Sequence, residues 1–202
     1  MSDGVNWLLD SYSEGFCVAF CEGVTQEEFI RRIGGDPAHT LMLTRAQAEA
    51  INLAGRYPEM SDLEYYDLDD DELRESGFME PGAEIVRTGR ISEWAFAIQS
   101  FGAFLSESQI ARQGSHGTRY VSFGRTVNMA AWVQYAIDGE LMNSFDPLHP
   151  PRGRSLAGLQ INELGNSDDP ASAVLAHLEE RFHIAIPIDA DEQSLLTISL
   201  RR

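Results

Sequence analysis

Lysine is absent from this 202-residue chain, so all fifteen of its basic side chains are arginine. That absence excludes the lysine of a P-loop phosphate clamp, a Schiff base with a carbonyl cofactor and a lysyl nucleophile. Cysteine occurs twice, as Cys17 and Cys21 in the run GFCVAFCEG. On a strand their Cα atoms would stand roughly 13 Å apart, too far for a mutual disulfide. No His/Cys group at the usual spacing completes the roughly four ligands a structural zinc needs. Buried free thiols are the plain reading. No apolar run approaches the ~20 residues of a membrane span. The N-terminal MSDGVNWLLDSYSEG carries acids where a signal peptide needs positive charge. A soluble, cytoplasmic protein is expected, without membrane attachment.

Positive charge is also scarce. Thirty-two acids against fifteen arginines leave a formal net charge of −17. Arg31-Arg32 and Arg201-Arg202 are isolated pairs in a negative field, which argues against nucleic-acid binding. Apolar residues make up 43% of the chain, enough for a globular core in one domain spanning residues 1–202.

What the chain has in excess is acid, concentrated between Glu59 and Glu84. Eleven carboxylates there surround one cation, Arg74, giving 1 − 11 = −10 of the total charge. The central run, MSDLEYYDLDDDELRESG, sets Tyr65 and Tyr66 among the acids. Asp67-x-Asp69-x-Asp71 begins like an EF-hand loop. Glu72 stands where that loop needs glycine and Phe78 where it needs a bidentate glutamate, so calcium is not expected. A solvated loop is one reading of the stretch. The other is a docking surface, because aromatics amid steering charge make good contact residues.

Periodicity organises the rest. Phe16–Cys21 reads as a strand buried on both faces, with Phe16, Val18 and Phe20 opposite Cys17, Ala19 and Cys21. Capping boxes at Thr25–Glu28 and Thr44–Gln47 open helices that end near Ile33 and Gly55. Within the acidic stretch, Ser61–Glu64 is placed to cap a short helix, with Leu63, Tyr66 and Leu73 as anchors. Glu84–Arg90, Ser92–Gln99 and Arg119–Gly124 alternate as strands, and Ser106–Gln109 caps a short helix ending before Gly114. Asp138-Gly139 joins Ala131–Ile137 to Glu140–Asp146 in a hairpin. A short helix is expected over Leu156–Leu164, and a longer one from Asp169-Pro170 to about Phe182. Ile184–Ile188 and Leu195–Leu200 read as terminal strands. Strands clustered between 84 and 146 predict an α+β fold, a mainly antiparallel central sheet flanked by helices.

Several of these blocks resemble an uncharacterised actinobacterial family, a domain of unknown function. They are GFCVAFCEGVTQEEFIRRIGGDPA, with its C-V-x-F strand, R-R-x-G helix end and D-P-A; GRISEWAFAIQSFG; and the hairpin Trp132–Leu141 with Asn143–Leu148. The resemblance spans roughly residues 5 to 185. It implies a fold and supplies no catalytic residues. The acidic insertion at 59–84 is longer and more charged than the family pattern implies.

Other candidate chemistry has a simpler reading in each case. Gly153-Arg-Ser155 approximates a nucleophile elbow, yet Pro150-Pro151 precedes it where a strand is required. His39, His116, His149, His177 and His183 are scattered, and the last two, six apart, fall on different helix faces. Asp138 and Asp146 are committed to a turn and a bend. Trp94, Phe96, Trp132 and Tyr135 are placed for a sheet core, with Trp132 and Tyr135 on opposite faces. The expected function is therefore non-catalytic binding of a basic protein partner, as an immunity, inhibitor or adaptor protein would do, without cofactor or metal. Its contact residues are Glu64, Tyr65, Tyr66, Asp67, Asp69, Asp70, Asp71 and Glu72. The alternative is a small-molecule-binding domain or hydrolase using the aromatic sheet face with Ser155 or His149.

Overall fold

The computed structural model describes residues 4–149, 159 and 168–201. Its centre is an eight-stranded sheet of β1 (Gly15–Glu22), β2 (Thr40–Leu43), β3 (Ala83–Ile91), β4 (Trp94–Ser100), β5 (Arg119–Thr126), β6 (Ala131–Ile137), β7 (Glu140–Phe145) and β8 (Leu195–Arg201). The spatial order is β2-β8-β3-β4-β1-β5-β6-β7, and every neighbouring pair is antiparallel. Helices α1 (Trp7–Ser11), α2 (Gln26–Arg32), α3 (Arg45–Arg56), α4 (Asp70–Glu75), α5 (Ser108–Gly114) and α6 (Pro170–Phe182) lie around it. The fold class is α+β.

β1 is central because both of its faces are apolar. Register places Val18 between Ile98 and Phe123, and Phe20 between Phe96 and Val121. That large-residue face packs beneath α1 and α6, through Leu8, Val174, Leu175, Leu178 and Phe182. The opposite face is made of small residues, Cys17, Ala19, Cys21, Ala95 and Ala97, and receives α2 and α5 through Phe29, Ile30, Ile110 and Ala111. A third cluster joins α3 and the acidic segment to Ile85 of β3. Each large side chain removed from water contributes about 1.5–3 kcal/mol.

Helix starts follow the sequence signals. The hydroxyl of Thr25 accepts from Glu28 N, Thr44 and Gln47 close a full capping box, and Asp169 accepts from Ala171 N and Ser172 N. Such caps stabilise a helix by about 1 kcal/mol each. Glu28 does not reach back to Thr25; its carboxylate pairs with Arg32 at 2.9 Å instead. Asp138 and Gly139 take φ of 47° and 81°, the two positive values a type I′ hairpin turn requires.

Three expectations are corrected. Ser106 caps nothing: it ends a 3-10 turn, Phe104–Ser106, and its hydroxyl sits 2.8 Å from Cys17 Sγ. Ile184–Ile188 is not a strand, although Ile184 and Ile186 are buried. Within the acidic stretch Ser61 does not cap; the 3-10 turn Leu63–Tyr66 follows Asp62 without a side-chain cap. The helix expected over Leu156–Leu164 falls outside the described residues apart from Leu159.

Candidate functional site

The acidic stretch is folded against the body. From Pro58 it forms two 3-10 turns, Pro58–Met60 and Leu63–Tyr66, and then α4. Leu63, Leu73 and Phe78 point inward and are almost fully buried with Ile51 and Ala54 of α3. Gln47 of α3 donates from Nε2 to Tyr66 O at 3.2 Å, a second tie. Asp67 adopts the left-handed conformation, φ 55°, and ends the second turn. Asp69 then caps α4, its Oδ1 accepting from Glu72 N at 2.9 Å.

Because the apolar residues are spent inward, the acids face out. Glu64, Asp67, Asp69, Asp70, Asp71 and Glu72 are all exposed. Tyr65 is 82% exposed and meets half-buried Tyr66 edge-on, their ring centroids 5.0 Å apart. Arg74, the one cation of the stretch, pairs with Asp70 at 2.8 Å. Two clefts flank α4. One, of about 440 Å³, has Leu63, Leu68 and Met79 among its lining and Glu64, Asp69 and Asp70 beside them. The other, of about 350 Å³, is lined by Asp36, His39, Glu75 and Glu80 with Arg201. The EF-hand-like spacing builds no ion cage: among the described residues no group of three or more His, Cys, Asp or Glu is arranged to hold a metal.

The remaining candidates are placed in structural roles. Trp94, Phe96 and Tyr135 belong to the core beneath α6, with Phe182 5.7 Å from Trp94 and 5.4 Å from Tyr135. Trp132 stands on the other face and is part-exposed. His149 pairs with Asp146 at 2.8 Å, while the same carboxylate accepts from Leu148 N. Asp138 accepts from Gly117 N at 2.9 Å. His39 pairs with Asp36, His177 contacts Leu159 O, and His183 ends α6 at φ 53°. Ser155 lies outside the described residues. Both thiols are free and buried, and burial pushes each up to about 12, so neither is a nucleophile at neutral pH.

Two polar constellations carry no sequence signal. On the α6 side of the sheet, Asp191 accepts from Tyr12 at 2.5 Å and pairs with Arg45 at 3.0 Å and Arg87 at 3.4 Å. Arg45 also lies 3.6 Å over the Tyr12 ring and pairs with Glu49 at 2.7 Å. Burial, reinforced by Asp191, holds the Tyr12 hydroxyl far above its ordinary range. The second constellation joins buried Glu84 to Gln99, whose Nε2 donates to Oε2 at 2.5 Å. No local spacing announces either group, because the partners come from segments up to 179 residues apart.

The chain belongs to a family of unknown function (DUF6461), which it matches over residues 5–158. No curated protein and no solved structure matches it. Among the described residues no helix is long and apolar enough to cross a membrane.

Proposed function

We propose that this protein is a non-catalytic binding protein of the cytoplasm, an immunity, inhibitor or adaptor protein, that engages a basic protein partner through the 59–84 surface. The observation that carries this reading is the division of labour in that stretch. Leu63, Leu73 and Phe78 anchor it, while nine carboxylates and Tyr65 remain on the outside. Ordered charge of one sign steers an oppositely charged partner and raises its association rate. Tyr65 and the apolar floor of the neighbouring cleft supply surface that contact would desolvate. A net charge of −17 opposes binding to nucleic acid and to anionic membrane, which leaves a basic protein as the complementary partner.

The test is affinity capture from the native cell with the whole chain as bait, at low and high salt. A parallel bait carries Asp69→Asn, Asp70→Asn, Asp71→Asn and Glu72→Gln; asparagine caps as well as aspartate, so α4 keeps its start. A basic protein retained by the first bait, lost by the second and released by salt is the expected result. A partner held equally by both baits refutes the role of this surface.

A further inference from the structure

The larger of the two clefts beside α4 has a floor and a rim of opposite character. Ala54 and Pro58, at the end of α3 and in the turn after it, join Leu63, Leu68 and Met79 around about 440 Å³. That volume falls within the roughly 300–1,000 Å³ of ligand-sized pockets. Ala54 and Leu63 are buried, whereas Pro58 is exposed and Leu68 and Met79 are half-buried. Separate segments thus leave apolar surface at one place, on a stretch whose exposed side chains are mostly charged. Met79, unbranched and polarisable, adapts to the shape of what it meets.

The four charged residues of the rim are not equivalent. Asp70 is matched by Arg74 at 2.8 Å. Asp69 spends Oδ1 on Glu72 N. Glu64 makes no side-chain hydrogen bond or ion pair among the described residues, so its carboxylate is the rim's open acceptor. Arg74 repels a segment made only of cations, and the floor offers such a segment no polar partner. An uncharged apolar ligand gains nothing from Glu64 or from the exposed carboxylates around it. A small organic cation would meet the rim but not Asp71 and Glu72, which lie outside the cleft. The occupant that uses floor, rim and outer carboxylates together is a length of polypeptide with an apolar side chain between cations.

Resting on the acidic surface as the binding face, we propose that this cleft receives an apolar side chain of the basic partner, leucine, methionine or phenylalanine, flanked in the partner's chain by arginine. The apolar side chain lies on Leu68 and Met79, an arginine beside it takes Glu64, and further cations meet Asp71 and Glu72. Arginine suits Glu64 better than lysine does, because its planar fork matches a carboxylate. The field brings basic partners in, and the cleft selects which basic segment stays.

Fluorescence anisotropy on the whole chain at low salt tests this with labelled Arg-Leu-Arg-Arg-Leu-Arg. The controls are Arg-Ser-Arg-Arg-Ser-Arg, of equal charge, and Gln-Leu-Gln-Gln-Leu-Gln, without charge. The leucine–arginine peptide is expected to bind about tenfold or more tighter than either control, as burial of one leucine implies. Met79→Gln keeps the side chain's length and the net charge but makes the floor polar, and Ser61→Trp fills the cleft from an exposed position. Each is expected to weaken the leucine–arginine peptide by about fivefold or more and leave the serine peptide unchanged. Should either variant not fold, the other decides. Equal binding of the leucine and serine peptides, or leucine–arginine binding untouched by both variants, overturns the cleft while the acidic surface stands. Two results overturn the surface as well. One is binding of both arginine peptides undiminished by Asp69→Asn, Asp70→Asn, Asp71→Asn and Glu72→Gln together. The other is no saturable binding of either arginine peptide up to about 1 mM.

Discussion

Replacing Asp191 by asparagine removes one charge from a part-buried group without changing its size. In the folded chain Asp191 faces two guanidiniums: Arg87, whose side chain is 3% exposed, and Arg45, 22% exposed. Arg45 keeps Glu49 as a partner, and among the described residues Arg87 keeps only carbonyls, Ala190 O at 2.5 Å and Gln193 O at 3.0 Å. Arg87 would then be a buried cation without a counter-charge. Breaking a buried pair on one side costs about 3–5 kcal/mol. Asp191 is itself 15% exposed, so water screens part of the loss and the low end, about 3 kcal/mol, applies. For a chain of this size that lowers Tm by about 6–12 °C. Calorimetry of wild type, Asp191→Asn, Arg87→Met and the double variant measures it. Deleting the charge on both sides is expected to cost less than the sum of the single changes, with a coupling of about 1–3 kcal/mol. A single-variant Tm within about 1 °C of wild type, or costs additive within about 0.3 kcal/mol, would refute the pairing argument.

Alkaline pH probes the two buried thiols. Their folded-state values are raised from 9 to about 12, so between those limits the unfolded chain ionises while the folded chain cannot. Stability is full below pH 9 and falls as pH rises above it, by up to about 1.4 kcal/mol per unit for each thiol. Urea melts at pH 7, 9 and 10 should show the decline, and a Cys17→Ala, Cys21→Ala chain should lose most of it; equal slopes would count against burial as the cause. Gly89→Ala builds a methyl 2.3 Å from the Phe96 ring tip, directly across the β3–β4 pair. The ring is held in the core, so about 1–3 kcal/mol of destabilisation follows, and a melt matching wild type would show that Phe96 swings away freely. On the acidic face, neutralising Asp69–Glu72 should slow partner association by about tenfold or more at low salt and change dissociation little. Tyr65→Ala should instead speed dissociation by about thirtyfold, the loss of a contact worth about 2 kcal/mol, as read by surface plasmon resonance on the captured partner.

Much of the scaffold was legible because it rests on local rules. The alternation of Phe16, Val18 and Phe20 against Cys17, Ala19 and Cys21 places β1 at the centre of the sheet. Threonine and aspartate caps locate α2, α3 and α6, and Asp138-Gly139 locates the β6–β7 hairpin. Opposite-face placement of Trp132 and Tyr135 also holds: Tyr135 joins Trp94 in the core and Trp132 does not. In the acidic stretch, Leu63, Tyr66 and Leu73 were readable as anchors, since they are the apolar residues among charged ones.

What stayed hidden has a common cause. β2 is four residues long and lies on the sheet edge, too short to establish a period, and its partner β8 follows it by more than 150 residues. α1 buries only Leu8 among its own residues and carries no side-chain cap. Ile184 and Ile186 are buried like strand residues, yet that segment makes a backbone bond from Ile186 N to Gly4 O rather than a ladder. Alternation reports burial; it does not report which backbone lies alongside. The same gap conceals the polar groups. Glu84 reads as one more acid of an acidic stretch, and only the register of β3 beside β4 brings it within reach of Gln99 and sets it apart from the exposed carboxylates upstream. A charge count treats Glu84 and Asp71 alike. Their physical roles differ because one is held at a sheet's end by an oriented amide and the other meets water, and that difference is made by pairing across the fold.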